Sequence, residues 1–410
     1  MSSRLINTMI GKIVVCYIII TYIVYLILPI PSLHLSNQKE CYTVIFLLFT
    51  CISFYLGTKS VPIDINKSFI TKSTFNIKQT TLTILLLALI VIILLYLKDL
   101  AAGGVAHISF SMGENYAAMI EAELSKNTRW GQIYNLVSPL RIILISYSIL
   151  NYKEISFFNR CLLLLMIFSY LLISISKGQF VGIGNSIILI IIPLFFKCWR
   201  ENKLKQFRNY IFIFVSVFAF LFILNQFARS ESLGGDISVG ISEDNYIYSI
   251  FGEKMGAGII RLMMYFSHGY KGLNYSLQLP FEWTYGYGGS RALGECFHQY
   301  LGLPSNFERT YPLRVEAVFG YDCQMSWPTA FSWWASDLSF PGVIFIMYIL
   351  GRLYCKVVRD ACYKSSVFAV AFLSELTILL LFLPMNNQAF QSRESLIITV
   401  CLFLLWLYRR

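Results

Sequence analysis

Ten apolar runs, each long enough to cross a bilayer as a helix, dominate this sequence. They fall near residues 12–30, 41–58, 80–97, 132–150, 161–176, 180–196, 210–227, 340–358, 366–384 and 395–408. A helix needs about 20 mostly apolar residues to cross the hydrocarbon core of a membrane. In this chain 57% of the residues are hydrophobic and 13% are charged. The sequence therefore predicts an all-α, polytopic membrane protein with about ten transmembrane helices.

One long polar insert, residues 228–340, interrupts the apolar runs. It separates an N-terminal bundle of about seven helices (1–227) from about three C-terminal helices (341–410). Most other connections are short, so we expect a site built from polar side chains mainly in this insert. Two of its segments predict short interfacial helices. One is Met255–Phe266, which is apolar but too short to span, and the other is WPTAFSWWASDLSF.

The distribution of charge predicts how the chain is oriented. Segments on the same side as both termini contain 19 Lys and Arg residues and four acids, whereas segments on the other side contain 13 and 17. Cytosolic loops of membrane proteins are enriched in Lys and Arg. We therefore expect both termini in the cytosol and the insert outside. The net charge of +11 is then explained by topology, and nucleic acid is not an expected partner.

Cysteine usage does not indicate a metal site, because the ten cysteines include no CxxC pair and no Cys/His cluster. Most of them lie in apolar runs, where a cysteine packs as a small hydrophobe. Cys296 and Cys323 are the two in the insert. A disulfide and two free thiols are both compatible with the sequence, since bonding depends on geometry.

Two basic residues stand out in the bundle. Arg141 lies inside the fourth run, where a charge is costly and indicates either a functional site or an ion pair, with Glu375 as a candidate partner. Lys177 lies in the tight external turn Ser176–Gln179, and its position indicates contact with an anion such as a lipid phosphate.

Residues 98–131 form a second external segment. Helical spacing from 115 to 124 predicts a lid helix over the bundle. A direct catalytic role for His107, Glu114 or Arg129 is the alternative.

Arginine is prominent in the insert. Guanidinium groups bind phosphate oxygens in a fixed fork geometry, so an external set of arginines suits a lipid-linked diphosphate. Ion pairs with the eleven acids of the same insert are the alternative. Arg393, in the last external link, either completes this site or pairs with its neighbour Glu394. The arginines of the insert are Arg229, Arg261, Arg291, Arg309 and Arg314.

The segment SLQLPFEWTYGYGGSRALGE concentrates aromatic residues and glycines. Aromatic faces stack on sugar rings, and glycines let backbone amides approach a ligand. The segment therefore predicts sugar binding, although aromatic interfacial loops also occur without ligands. The residues assigned to the sugar are Glu282, Trp283, Tyr285 and Tyr287.

The chain resembles the bacterial O-antigen polymerases of the Wzy type. The resemblance covers the whole layout and, locally, YFSHGYKGLNYSLQLPFEWTYGYG, residues 265–288. Some members of that family have an Arg, ten residues and then a Gly in their external loops. The same spacing occurs here at Arg229/Gly240, Arg261/Gly272, Arg291/Gly302 and Arg309/Gly320, but not at Arg314.

This resemblance implies a GT-C-like glycosyltransferase of the inner membrane, with its large loop in the periplasm. It would polymerise oligosaccharide repeat units carried on undecaprenyl diphosphate, without a metal or other cofactor. A chain-length regulator protein and membrane lipid would be its further partners. The reaction requires charge stabilisation of a departing diphosphate and activation of a hydroxyl group.

The residues that the reaction would use follow from these requirements. We expect His268, Arg261 and Arg291 in catalysis, with His268 as general base. A helix-end role for His268 is the alternative, and His298, Glu282 or Glu316 would then replace it. The diphosphate would be bound by Arg229, Lys177, Arg393, Arg309 and Arg141.

Two other functions fit a protein of this layout. One is an O-antigen ligase, which moves finished glycan to a lipid acceptor. The other is a flippase or transporter for lipid-linked oligosaccharide. Charges inside the apolar runs are scarce and internal repeats are not evident, and both features favour an enzyme over a transporter.

Overall fold

The computed structural model describes residues 4–33, 37–62, 75–102, 115, 128–232, 236–323, 326–364 and 366–409. Regular secondary structure in these residues is helical. The N-terminal bundle contains α1 (Arg4–Ile27), α2 (Asn37–Lys59), α3 (Gln79–Ala102), α4 (Arg129–Leu150), α5 (Phe157–Ser176), α6 (Val181–Arg200) and α7 (Leu204–Ser232).

Five shorter helices follow in the insert, and four helices complete the chain. The insert contains α8 (Tyr246–Phe251), α9 (Glu253–Tyr265), α10 (Gly269–Ser276), α11 (Arg291–Leu301) and α12 (Tyr311–Phe319). The last four helices are α13 (Ala330–Tyr363), α14 (Val367–Phe382), α15 (Gln388–Gln391) and α16 (Arg393–Tyr408). Short 3₁₀ turns form at Pro31–Leu33 and Phe307–Arg309.

Eight of the described helices, α1 to α7 and α13, are long and apolar enough to cross a membrane. Helices α14 and α16 occupy the last two apolar runs with 16 residues each. The described chain is thus an all-α protein with the helices of a multi-pass membrane protein, as predicted.

Helix α14 lies at the centre of the bundle. Its residues are apolar on every side and almost all of them are buried. It packs against α4, α6, α13 and α16. A helix that is hydrophobic all round is stable only inside a core or a membrane.

Helices α2 and α13 cross closely through two glycines. A Cβ atom on Gly57 would lie 2.1 Å from the carbonyl oxygen of Tyr348, and one on Gly351 would lie 2.3 Å from that of Phe54. Small residues at a crossing let two helix backbones approach each other. The pair therefore forms a close backbone contact near the end of α2.

Helix α13 is broken near its start. Ser339 has φ 60° and ψ 166°, and Pro341 follows two residues later. The part before the break belongs to the WPTAFSWWASDLSF segment, which forms a short helix leading into the apolar run, as predicted. Phe331 and Trp333 are 0% and 3% exposed, because this part packs into the core.

The insert packs against one end of the bundle. At this end Ser242 N donates to Pro29 O after α1, and Arg393 at the start of α16 contacts Gln299 of α11. Because α1 ends here and α16 begins here, the start of α1 and the end of α16 lie at the other end of the bundle. Apolar residues of α9 and α10 belong to the same core cluster as the bundle helices.

Candidate functional site

A polar cavity of about 290 Å³ lies between the insert and the link joining α1 to α2. Its walls come from Ile30–Leu33, the turn at 239–240, helices α9 and α10, and the residues that follow α12. The titratable side chains that line it are Arg261, His268, Lys271, Tyr275, Tyr321 and Asp322. We call it the polar cavity below.

His268 lies between α9 and α10, where the chain turns from one helix into the next. Its Nδ1 atom is 3.0 Å from Met264 O. A carbonyl oxygen can only accept, so Nδ1 carries the proton and Nε2 of the neutral ring keeps its lone pair. Nε2 is buried and has no hydrogen-bond partner among the described residues.

The local environment keeps the His268 ring neutral. Burial lowers its pKa below 6.5, and hydrogen bonds with the backbone of Met264 and Tyr265 oppose this effect only in part. The sequence predicted a helix stop at His268–Gly269. Helix α9 does end just before it, at Tyr265, but Gly269 begins α10. The ring is therefore fixed by helices on both sides.

Arg261 reaches the cavity from the last turns of α9. Its Nε donates to Ile237 O at 3.0 Å and its Nη2 to Val239 O at 2.6 Å. Both acceptors are neutral carbonyl groups, so these bonds orient the guanidinium without cancelling its charge. Burial lowers the pKa of Arg261, but arginine stays protonated at neutral pH.

Lys271 is a second cation in the cavity, and it was not among the predicted site residues. Its Nζ donates to Ser32 O at 2.5 Å and lies 5.7 Å from the ring centre of Tyr275 and 5.6 Å from that of Tyr321. Burial lowers the pKa of its amine. Its spacing of three residues from His268, within one helical turn, was the signal in the sequence.

The polar cavity thus combines two cations with a neutral imidazole. Asp322 is the one carboxylate among its described lining residues. Arg and Lys favour an anionic ligand, and the Nε2 lone pair can accept a proton from a group bound beside that anion. In the part of the chain that the structure describes, no cluster of three His, Cys, Asp or Glu side chains is arranged to hold a metal ion.

Arg291 and Arg393 belong to a different group, on α11 and α16. Both approach Glu295: Arg291 Nε lies 3.0 Å from Oε1 and Arg393 Nε lies 4.0 Å from Oε2. Arg393 also donates to Gln299 Oε1 at 2.5 Å. The two arginines therefore share one carboxylate, and they do not line the polar cavity. For Arg291 this is the ion-pair alternative, whereas Arg393 pairs with Glu295 and not with its expected neighbour Glu394, which pairs with Arg141.

Arg141 is buried in α4 and paired with a carboxylate. Its Nη2 lies 2.9 Å from Glu394 Oε1, and its Nη1 donates to Tyr134. The expected alternative partner, Glu375, instead accepts from Thr399 Oγ1 at 3.2 Å. With a side chain only 3% exposed, Arg141 joins α4 to α16 and leaves little room for a ligand.

The remaining predicted cations have other surroundings. Lys177 lies in the turn between α5 and α6, as predicted, and donates to Tyr96 Oη at 3.1 Å. Arg309 lies over the Tyr285 ring at 5.1 Å. Arg229 is in the last turns of α7, and its side chain lies outside the described part of the structure.

The aromatic segment presents two of its three predicted rings to solvent. Trp283 and Tyr285 are 53% and 51% exposed, and their ring centres are 5.3 Å apart. Tyr287 is buried, with its hydroxyl donating to Pro304 O at 3.0 Å. Glu282 pairs with Arg314 at 3.0 Å. An exposed platform for a sugar ring is therefore available at Trp283 and Tyr285 but not at Tyr287.

The glycines of this segment approach a protein carboxylate. Asp337 accepts from the amides of Gly286 at 2.9 Å and Gly289 at 2.6 Å, and from Thr284 Oγ1 at 2.5 Å. The sequence predicted that these amides contact a ligand, but in the structure they donate to Asp337. Asp337 lies in the apolar sequence before the break in α13, where nothing in the spacing marked it.

The recurring Arg and Gly spacing has a local explanation for two of its four instances. Gly302 ends α11 with φ 66° and Gly320 ends α12 with φ 64°. A left-handed residue at a helix C-terminus is most often glycine. In both cases the spacing therefore reflects a short helix closed by glycine.

Three further expectations can be placed. Cys296 and Cys323 are both free thiols in the structure. Burial raises the pKa of Cys323 to about 12, so that thiol stays protonated. The lid helix expected at 115–124, together with His107 and Glu114, lies outside the described residues, apart from Asn115.

Comparison of the chain with protein-family models, with curated protein sequences and with solved structures finds no significant match.

Proposed function

We propose that this protein polymerises lipid-diphosphate-linked oligosaccharide units by glycosyl transfer, as an O-antigen polymerase of the Wzy type. The observation that carries the proposal is the polar cavity, whose lining includes Arg261, Lys271 and His268, the last with a buried Nε2 that has no hydrogen-bond partner among the described residues. In this proposal the protein lies in a bacterial inner membrane, and the end of the bundle that packs against the insert faces the periplasm.

The reaction joins one sugar to another and releases lipid diphosphate. A hydroxyl group of the acceptor sugar attacks the anomeric carbon of the donor glycan, and the bond from that carbon to the diphosphate oxygen breaks. His268 Nε2 takes the hydroxyl proton. Arg261 and Lys271 stabilise the negative charge that develops on the departing diphosphate.

The rest of the predicted site has secondary roles in this scheme. Trp283 and Tyr285 supply an exposed aromatic surface for the glycan. Arg291 and Arg393 are held by Glu295 outside the cavity, so we assign them no chemical step. Arg141 is assigned a structural role.

The test is incubation of the purified protein with a lipid-linked repeat unit isolated from cells that lack it, followed by sizing of the glycan. We expect a ladder of longer glycans and release of lipid diphosphate. Transfer of glycan to a different lipid acceptor without chain growth would indicate a ligase and contradict the proposal. Movement of the lipid-linked unit across vesicles without chain growth would indicate a flippase.

Matched variants test the assignment of the cavity. We expect His268→Gln and Lys271→Gln to lose chain growth by about a hundredfold or more, the usual size of a lost acid–base or charge contribution. The controls are His298→Gln, at a ring that contacts Leu303 O outside the cavity, and Lys254→Gln, at an exposed lysine of α9. If the variants and the controls lose chain growth equally, the polar cavity is not the site of the reaction.

A further inference from the structure

A second cavity, of about 450 Å³, is an apolar groove on the side of the bundle. Helix α2 contributes Tyr42, Ile45, Phe46 and Phe49 to one wall, and α13 contributes Phe340, Pro341 and Ile344 to the other. We call it the side groove. Both walls are helices long and apolar enough to cross a membrane, so we expect the groove to face lipid.

The side groove follows the contact between α2 and α13. Gly57 and Gly351 let the two backbones approach closely at one end of this contact. Nearer the insert, α13 is broken at Ser339 and continues from Pro341, while Ser53 Oγ donates to Ile344 O at 2.6 Å. On both sides of the break α13 stays against α2, since the Phe46 ring centre lies 5.6 Å from that of Phe331 and 5.2 Å from that of Phe340.

The end of α10 joins the side groove to the polar cavity. Leu277 and Gln278 close the end of the groove that lies beside the insert. One helical face carries Lys271, Tyr275 and Gln278, because these residues are spaced by four and then three positions. The first two line the polar cavity and the third lines the groove. The two spaces are therefore consecutive along one surface.

We infer that the side groove binds the hydrocarbon chain of the lipid-diphosphate substrate whose headgroup occupies the polar cavity. This inference rests on the proposed function, because that function supplies a ligand with a diphosphate and a long isoprenoid chain. A cationic cavity followed by an apolar groove in the membrane matches the two ends of such a molecule. Chain binding in the groove would hold the diphosphate next to Arg261 and His268.

The test compares two ligands that share a headgroup and differ in chain length. Undecaprenyl diphosphate and geranyl diphosphate are bound to the purified protein in nanodiscs, and their dissociation constants are measured without any turnover. The groove is filled by Ile45→Trp on one wall and by Ile344→Trp on the other. The control is Leu48→Trp, because Leu48 is 53% exposed on α2 but does not line the groove.

We expect the groove variants to weaken the binding of undecaprenyl diphosphate by about tenfold or more. A Trp side chain that fills the groove prevents the hydrocarbon chain from burying its apolar surface there. Geranyl diphosphate should bind them as it binds the unaltered protein, and the control should match the unaltered protein for both ligands. A retained affinity for geranyl diphosphate also shows that a variant is folded.

Three outcomes would overturn the inference. The groove variants could bind undecaprenyl diphosphate with unchanged affinity, they could bind both ligands equally more weakly, or Leu48→Trp could lose as much affinity for undecaprenyl diphosphate as they do. Loss of copurified phospholipid from the groove variants, with unchanged undecaprenyl diphosphate binding, would assign the groove to bulk lipid instead. Failure of the proposed function is seen separately, as absence of chain growth by a protein that still binds the long-chain ligand in this manner.

Discussion

At the scale of single residues, His268 should set the acid limb of the pH profile. Burial lowers its pKa below 6.5, so the ring is neutral and able to accept a proton at neutral pH. Below that pKa the protonated ring has no lone pair on Nε2. We expect kcat/KM for chain growth to fall with decreasing pH, with a midpoint below 6.5.

Other groups face the same cavity, and they define the control for this profile. Arg261 and Lys271 are cations that oppose protonation of His268, while Asp322 favours it. Tyr275 and Tyr321 also line the cavity, and burial raises the pKa of both, so they stay neutral over this range. His268→Gln should remove the acid limb while residual activity persists. An acid limb that survives in this variant would assign it to another group.

Asp337 is the second residue with a specific expected effect. Its carboxylate accepts hydrogen bonds from three glycine amides and a threonine hydroxyl, which fixes the segment that carries Trp283 and Tyr285. Hydrogen bonds to a charged group contribute about 1.5–3 kcal/mol each. We expect Asp337→Asn to lower the free energy of unfolding by an amount in that range, measured by thermal denaturation in detergent. Asp244→Asn, at an exposed carboxylate, should change it little.

At the scale of helices, the crossing of α2 and α13 is the contact least able to accept a larger side chain. A Cβ atom on Gly57 would be 2.1 Å from Tyr348 O, a backbone atom that cannot rotate away. We expect Gly57→Ala to cost about 1–3 kcal/mol, the usual range for overpacking, as a lower unfolding temperature. Gly184→Ala is the control, because its nearest neighbour is a Phe218 ring carbon at 3.3 Å. If Gly57→Ala and Gly184→Ala lower the unfolding temperature equally, α2 and α13 can move apart at their crossing without a specific cost.

At the scale of the whole molecule, the Arg141–Glu394 pair connects the N-terminal bundle to the last helix. Removing one partner of a buried pair leaves the other charge uncompensated, which typically costs about 3–5 kcal/mol. Glu394 is 26% exposed, so we expect Arg141→Met to cost about 3 kcal/mol or less, measured by thermal denaturation.

The double variant separates this explanation from simple loss of packing. In Arg141→Met with Glu394→Gln, the uncompensated carboxylate is gone, and Tyr134 can still donate to the amide oxygen. We expect the double variant to be more stable than Arg141→Met alone. If the two are equally destabilised, the pair contributes by packing and not by charge.

Much of the fold followed from local chemistry. Membrane-length apolar runs predicted each of the long helices, because a backbone in lipid must satisfy its hydrogen bonds within a helix. The tight turn at Ser176–Gln179 was predicted because so few residues separate the apolar runs that became α5 and α6. The apolar span of α7 ends at Ala228, although its helix continues to Ser232. Helix α13 begins at Ala330 and is broken at Ser339, next to the boundary expected at 340.

The composition of the candidate site depended on long-range packing. Arg261 and His268 were recognised from their residue types, and helices α9 and α10 place them in one cavity together with Lys271. Arg291 and Arg393 carry the same charge and looked equivalent in the sequence. Arg291 pairs with Glu295 four residues later in the same helix, and Arg393 approaches the same carboxylate because α11 packs against α15 and α16.

Hydrophobicity and charge are properties of each residue, so the sequence alone was enough for the helical membrane architecture, the expected orientation and the chemical types of the site. Which of these charges share a cavity, and which cancel in ion pairs, depends on how helices distant in the sequence pack. No periodicity encodes the contact of Arg141 with Glu394, which lie 253 positions apart. The same holds for the cavity of Arg261, His268 and Lys271, which is completed by Ser32 from the first helix pair.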